Sequence, residues 1–397
     1  MNNGDRINKK NVFKIIVIAM VLLCPLIVIT IGGVSKAFYS DDLPVSDVDD
    51  GVDANNTNVN DANEHSEDDE EIELEFELPL NGATGYASMN LSLFGEATAD
   101  SSNIGVISAG EAFTIISEEN NYFYVYYDGK YGWVDSTLCM INLPDVIPSI
   151  IYDNTNSYSS LYVSSGVELP GITGTKLYDA ISYNERLAKE QYNMPILYST
   201  AKKVYQAQKL ALANNQSLKI YETFRSYEVQ RKVSSSLKEL KNSNEIVNSG
   251  INKNGWSEGW FISQGISNHQ RGIAMDVSLV DINASVQKVV GDYTYMEITA
   301  YTEFVMPTSM HELSAAAVAF SRPVSSKKDR TAWTHVPLAS TMTDGAKKLQ
   351  EYCTTAGLTP LASEWWHFDD LDAKDSIDDY GINGKYYLTD NVSRIPD

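Results

Sequence analysis

The sequence predicts an α+β fold in which helices flank an antiparallel sheet, and three observations carry that prediction. Apolar residues alternate over 218–224 and 273–280, the period-two signature of strands. Over 199–213 and 344–356 they recur at helical spacing instead. The two kinds of segment mix without the regular strand–helix repeat of a parallel sheet.

Each element has its own local signal. Ser199 or Thr200 is the expected N-cap of the 199–213 helix. The 218–224 strand runs into Arg225, and the 273–280 strand starts after Gly272, a residue that permits a sharp backbone turn. In the 344–356 helix Ala346, Leu349, Cys353 and Ala356 share one face, and Gly357 supplies the stop. A last strand is expected over 363–368. These elements assign 144–397 to one main domain.

Residues 81–143 have a different character. Short β-prone runs at 113–117 and 122–127 are followed by Asp128-Gly129, a hairpin turn, and a further run at 131–134. This is a small all-β module. Residues 35–80 are rich in Asp, Glu, Asn and Ser and poor in aromatics, so a disordered acidic linker is expected. Residues 15–34 form an apolar run long enough to span a bilayer. Arg6, Lys9, Lys10 and Lys14 precede it and acid follows, which places 1–14 in the cytoplasm and the rest outside as a single-pass membrane protein. The rival reading is a signal peptide cleaved near Ser35-Lys36-Ala37, but the apolar run is longer than a usual signal core.

The formal net charge of -23 argues against nucleic acid as a partner, because phosphate binding needs a basic surface. Most of the excess acid lies between Asp41 and Glu77, a stretch without Lys or Arg. Cys24, Cys139 and Cys353 show no CxxC spacing, so neither a disulfide framework nor a thiolate metal site is indicated. Cys353 reads as a small core residue of its helix.

Chemistry concentrates in two strings. Ser267-Asn268-His269-Gln270-Arg271-Gly272-Ile273-Ala274-Met275-Asp276 places an imidazole before a turn and a carboxylate inside an apolar strand. A carboxylate among Ile273, Ala274, Val277 and Leu279 is costly unless it is paired or binds metal. Glu364-Trp365-Trp366-His367-Phe368 adds an acid and an imidazole in another apolar run. His269, Asp276 and His367 make a three-ligand zinc set with room for water, and Glu364 is then available as general base. Glu364 and His367 face opposite sides of a flat strand, so they can meet only if the chain bends between them. Taken alone, the same residues could form a buried salt-bridge network of Asp276, His269 and Glu364. His311-Glu312 begins like a helical HExxH zinc motif but lacks the second histidine, and His335 has no motif role and reads as a structural histidine.

Two resemblances extend this. Asn90-Leu91-Ser92, Gly105-Val106-Ile107 and the closing Gly132-Trp133-Val134 make 81–143 similar to bacterial SH3-like domains. Such modules commonly bind cell-wall peptides or pack on a catalytic partner, and a spacer barrel is the other reading. Ser267–Asp276 and Glu364 to His367 complete the SxHxxGxAxD and ExxH signatures of the zinc D,D-peptidases, whose fold is shared with lysostaphin-type enzymes and hedgehog proteins. Within that group the strings SNHQRGIAMDVSL, EWWHF and Ile220-Tyr221-Glu222-Thr223-Phe224-Arg225 look most like the vancomycin-resistance-type D-Ala-D-Ala dipeptidases.

The resemblance implies Zn2+ on His269, Asp276 and His367, Glu364 as base, Arg225 at the oxyanion, and Ser267 holding substrate. A surface or ion-pair role is the alternative for Arg225. It implies hydrolysis of D-Ala-D-Ala-type bonds in the free dipeptide or in peptidoglycan stem peptides. One departure matters. The family loop after the second ligand carries an aspartate for the substrate's amino group, where this chain has Met310-His311-Glu312. Glu312 is the candidate substitute. With the exported location, this departure favours a D,D- or L,D-carboxypeptidase over a strict dipeptidase. The alternative class is a non-catalytic protein that binds or tethers wall fragments.

Overall fold

The computed structural model describes residues 76–396. The expected cytoplasmic segment 1–14, the membrane span 15–34 and all but the end of the acidic linker lie outside the described residues. Among the described residues no helix is long and apolar enough to cross a membrane. The chain is already part of the fold at the end of the expected linker. Phe76 packs against Tyr198 and Tyr205, and Leu78 is fully buried.

The first sheet has eight strands, and every pairing in it is antiparallel. Its centre is the meander Ala112–Glu119, Tyr122–Tyr127 and Lys130–Asp135. Asp128 and Gly129 both adopt positive φ, the primed hairpin turn that the strand twist favours. Phe123 and Val125 point into the core. Tyr124 lies opposite Trp133 and Tyr126 opposite Tyr131, an outward aromatic ladder. The sheet does not end with the β module. Its last strand, Cys139–Asn142, is paired on its outer edge by Pro195–Leu197. That strand leads directly into the helix Tyr198–Leu212. Leu197 is the N-cap of this helix and no side chain caps it. Neither Ser199 nor Thr200 takes the role, because the Thr200 hydroxyl donates to Asp370 at 3.0 Å.

The second sheet runs Thr359–Pro360, His367–Asp369, Ala274–Val290, Gln216–Glu222, Ile151–Tyr152. Only Ile151–Tyr152 pairs in parallel; the other pairs are antiparallel. The α+β expectation holds, with this one parallel edge. Two strands differ from their expected bounds. Ala274–Val290 is far longer than 273–280, because its second half leaves the core as an exposed ribbon with Tyr293–Glu303. In that half Ile282, Ala284 and Val286 alternate with Asp281, Asn283, Ser285 and Gln287, a strand period that continues past residue 280 although the segment is largely exposed. The strand expected over 363–368 is confined to His367–Asp369, and the residues before it form a turn. The helices Tyr227–Ser243 and Glu245–Ile251 were not anticipated. Cys139 and Cys353 are both buried free thiols, and His335 is exposed rather than built into a core.

The two sheets meet at the turn that precedes the central strand. Gly272 has φ +70, a conformation L side chains rarely adopt, and closes the short 3-10 turn Asn268–Arg271. Its carbonyl accepts from the Leu197 amide at 2.6 Å. A Cβ on Gly272 would lie 2.8 Å from Met140 Sδ. Gly272→Ala is therefore expected to lower the unfolding free energy by about 1–3 kcal/mol, read from urea denaturation.

Candidate metal centre and active site

The register of the second sheet assembles the site. Asp276 on the central strand lies opposite Glu222 on one neighbour and His367 on the other. Residues directly opposite one another share a face, so three separate sequence segments deliver one row of polar side chains. His269 joins the row from the 3-10 turn just before the strand. Glu364 arrives by the bend that its spacing from His367 requires. Its amide donates to Leu361 and its carbonyl accepts from the His367 amide. The Trp366 carbonyl accepts from Val277 and fixes the turn to the central strand. Glu364 thereby comes within 3.7 Å of His367 Nδ1.

Three atoms of this cluster stand at metal-ligand spacing. His269 Nε2 to His367 Nδ1 is 3.2 Å, His269 Nε2 to Asp276 Oδ1 is 3.4 Å, and His367 Nδ1 to Asp276 Oδ1 is 3.0 Å. Tetrahedral ligands with bonds of about 2.0–2.1 Å are separated by about 3.3 Å, so the triangle fits zinc. The outer ring nitrogens of both histidines are held as well. His269 Nδ1 faces the Thr223 carbonyl at 2.6 Å, and His367 Nε2 faces Asp369 Oδ1 at 2.9 Å. Each contact places the ring proton on the outer nitrogen and leaves the inner lone pair free for a cation. Asp369→Asn is expected to weaken zinc affinity about 10- to 100-fold in a competitive chelator titration.

The electrostatics point the same way. Asp276 is only 2% exposed. Burial would raise its pKa, yet His269 and the hydrogen bonds from His269, His311 and His367 hold it well below the usual carboxylate range. Burial would lower the His367 imidazole, but Asp369 and Asp276 outweigh it and hold the ring well above its ordinary value. The carboxylates that favour a protonated ring also favour a bound cation. Burial pushes Glu364 up to about 8 against the opposing effect of His367, and a cation beside it would lower it again.

Arg225 is buried next to the row, with Nε 3.1 Å from Glu222 Oε2 and Nη2 3.8 Å from Asp276 Oδ2. It also donates to the Tyr162 hydroxyl. Desolvation would lower its pKa, but Glu222, Tyr162 and Asp276 keep it fully charged. Glu222, Asp276 and His311 form a second group close enough to share an ion. The oxygens of Glu222 are already taken by Asn156, Tyr178, Tyr162 and Arg225, so that group does not fit a second cation. Ser267 lines the cleft with its hydroxyl unpartnered among the described residues.

Sequence reasoning missed three residues here. His311 stacks on Tyr162 at 4.3 Å, and its Nε2 lies 3.1 Å from Asp276 Oδ2. Asp369 had a signal, two positions after a ligand and on the same strand face. Tyr162 had none, being far from the motifs in sequence, whereas His311 stood in the Met310-His311-Glu312 loop that the resemblance singled out, but with no role assigned to it. Glu312 is not the substitute acid expected in that loop. Its two oxygens accept from the Ser165 and Gly166 amides at 2.5 and 3.0 Å, which removes it from the cleft chemistry.

Comparison with known proteins gives two findings. Residues 89–138 match the family model of the bacterial SH3 domain. They lie within the eight-stranded sheet and cover its Asn103–Ile107 edge and the central meander. A solved structure of the LdcB LD-carboxypeptidase, described in connection with peptidoglycan recognition, is 15% identical. The alignment covers 68% of this chain and 95% of that one, with a TM-score of 0.23. No curated protein matches the chain.

Proposed function

We propose that this chain is a zinc peptidase that cleaves D-Ala-type bonds in cell-wall stem peptides, held at the membrane by residues 15–34 with its folded part outside. The observation that carries this reading is the triangle of His269, Asp276 and His367 at tetrahedral spacing, with Glu364 bent in beside it.

When bound, zinc would acidify a water molecule and polarise the carbonyl that it faces. Glu364 takes the proton from the attacking water, whose oxygen joins the carbonyl carbon. As the C–N bond breaks, Glu364 returns that proton to the departing amine. Arg225 presents a fixed positive charge toward the oxygen on which negative charge develops. Its ion pair with Glu222 holds the guanidinium in place before the substrate arrives. Ser267 offers its hydroxyl to the substrate backbone. The SH3 module beside the site would keep the enzyme on its polymeric substrate.

The test measures zinc content and D-alanine release by the full chain, from D-Ala-D-Ala and from a pentapeptide stem. About one zinc per chain with release that depends on Glu364 is expected. Zinc with wall-fragment binding but no release would favour a non-catalytic tether. A protein that takes up no zinc would reject the proposal.

A further inference from the structure

The cleft is chemically lopsided. Its carboxylates are Asp276, Glu364 and Asp369. Asp276 faces three imidazoles, Asp369 holds His367, and Glu364 is the base. The nearby Glu312 and Glu222 are saturated by amides, hydroxyls and a guanidinium. No carboxylate is therefore left to receive a substrate ammonium group. A cation, by contrast, is available. Lys327 lines the same cleft from the irregular segment between Tyr293–Glu303 and Asp344–Thr355. Its side chain is exposed, and no carboxylate pairs with it among the described residues. Two further lining groups have polar atoms with no partner. Gln230 Oε1 and His311 Nδ1 are buried and unsatisfied, although each residue is only 1% exposed. Buried polar atoms left unpaired in a cleft are suited to a peptide backbone.

We infer that Lys327 anchors the terminal carboxylate of the substrate, and that the cleft takes a peptide whose amino end is already blocked by further chain. This rests on the peptidase reading above and narrows it to a carboxypeptidase. A free dipeptide would bring an ammonium group into a cleft with nothing to pair it, which is costly once desolvated. A stem peptide brings an uncharged amide there instead, and its carboxylate meets an ammonium that is otherwise solvated. Lys327 is exposed and makes no ion pair with Asp276, Asp369 or Glu364 among the described residues, so its contribution is expected on binding rather than on the chemical step.

The experiment uses the full chain and N-acetylated stem peptides ending in D-Ala-D-Ala or in a single D-Ala, each as free acid and as C-terminal amide, together with free D-Ala-D-Ala. Wild-type protein is expected to prefer an acid over its amide and over the free dipeptide. Lys327→Ala is expected to raise KM for the acid about 10- to 100-fold, with kcat changed less than about twofold. The amide should be unaffected, and Lys327→Arg should restore most of the loss. An acid-to-amide preference that survives Lys327→Ala, or no preference in wild type, would overturn the role of Lys327. Preference for the free dipeptide would overturn the blocked amino end. If no peptide is cleaved in a Glu364-dependent way, the peptidase reading itself fails, which is a separate outcome from either of these.

Discussion

Glu364→Gln is expected to retain zinc and lose peptide hydrolysis by about 10²–10⁴-fold in kcat, with KM nearly unchanged. Glutamine has the size of glutamate, so the turn hydrogen bonds from Leu361 to His367 remain, and the three ligand atoms are untouched. What disappears is the carboxylate beside the ligand triangle that takes the water's proton; the other two lining carboxylates among the described residues, Asp276 and Asp369, hold imidazoles at closer range. At about 1.36 kcal/mol per tenfold, the loss corresponds to about 3–5 kcal/mol of transition-state stabilisation. Burial disfavours charge at this position, so the neutral amide should also leave the fold as stable as before or slightly more so. Kinetics, metal content and thermal unfolding on one preparation check all three statements. A variant that keeps wild-type turnover would remove Glu364 from the mechanism.

Stripping the metal with a chelator is expected to abolish hydrolysis and lower the unfolding temperature, and added zinc should restore both. Without the cation, a carboxylate and two imidazoles face each other at 3.0–3.4 Å, with Arg225 close behind. Zinc at about 100 times its dissociation constant would add about 2.7 kcal/mol to stability through binding to the folded state alone. Asp276→Asn should behave like the stripped protein even with zinc present, because it removes the negative charge of the ligand set. Zinc-restored activity in Asp276→Asn at wild-type level would contradict the ligand assignment.

The centre of the site was legible because its residues contradict their surroundings. Asp276 and His367 sit in apolar strands, Gly272 marks a turn, and the three-residue gap from Glu364 to His367 demands the bend that the structure contains. The periphery was not legible, for reasons that differ. His311 and Tyr162 reach the site through loops, and only the tertiary fold brings them to Asp276 and Arg225. The ribbon half of Ala274–Val290 did carry a period of two, with Ile282, Ala284 and Val286 alternating with polar residues, although the segment is largely exposed. The helix Tyr227–Ser243 did carry a signal, a buried stripe of Val229, Val233, Leu237 and Leu240 capped by Ser226. The bounds of the β module were misleading for a subtler reason. Pro195–Leu197 is too short to read as a strand, yet it completes the edge of the first sheet.

That completed edge bears on the order of events during synthesis. Domains made first generally fold first, as units, while the rest of the chain is still emerging. Here the early barrel borrows an edge strand from residues 195–197. It also borrows cover from much further on, since Thr389 bonds Ala112 across a separation of 277 residues and the Arg394 amide bonds Gly82. A nascent chain ending before these segments leaves the Cys139–Asn142 edge unpaired and open to the wrong neighbour. The barrel and the sheet that carries the candidate site are thus one folding unit in time as well as in space, and maturation of the site waits until residues 389–394 have emerged.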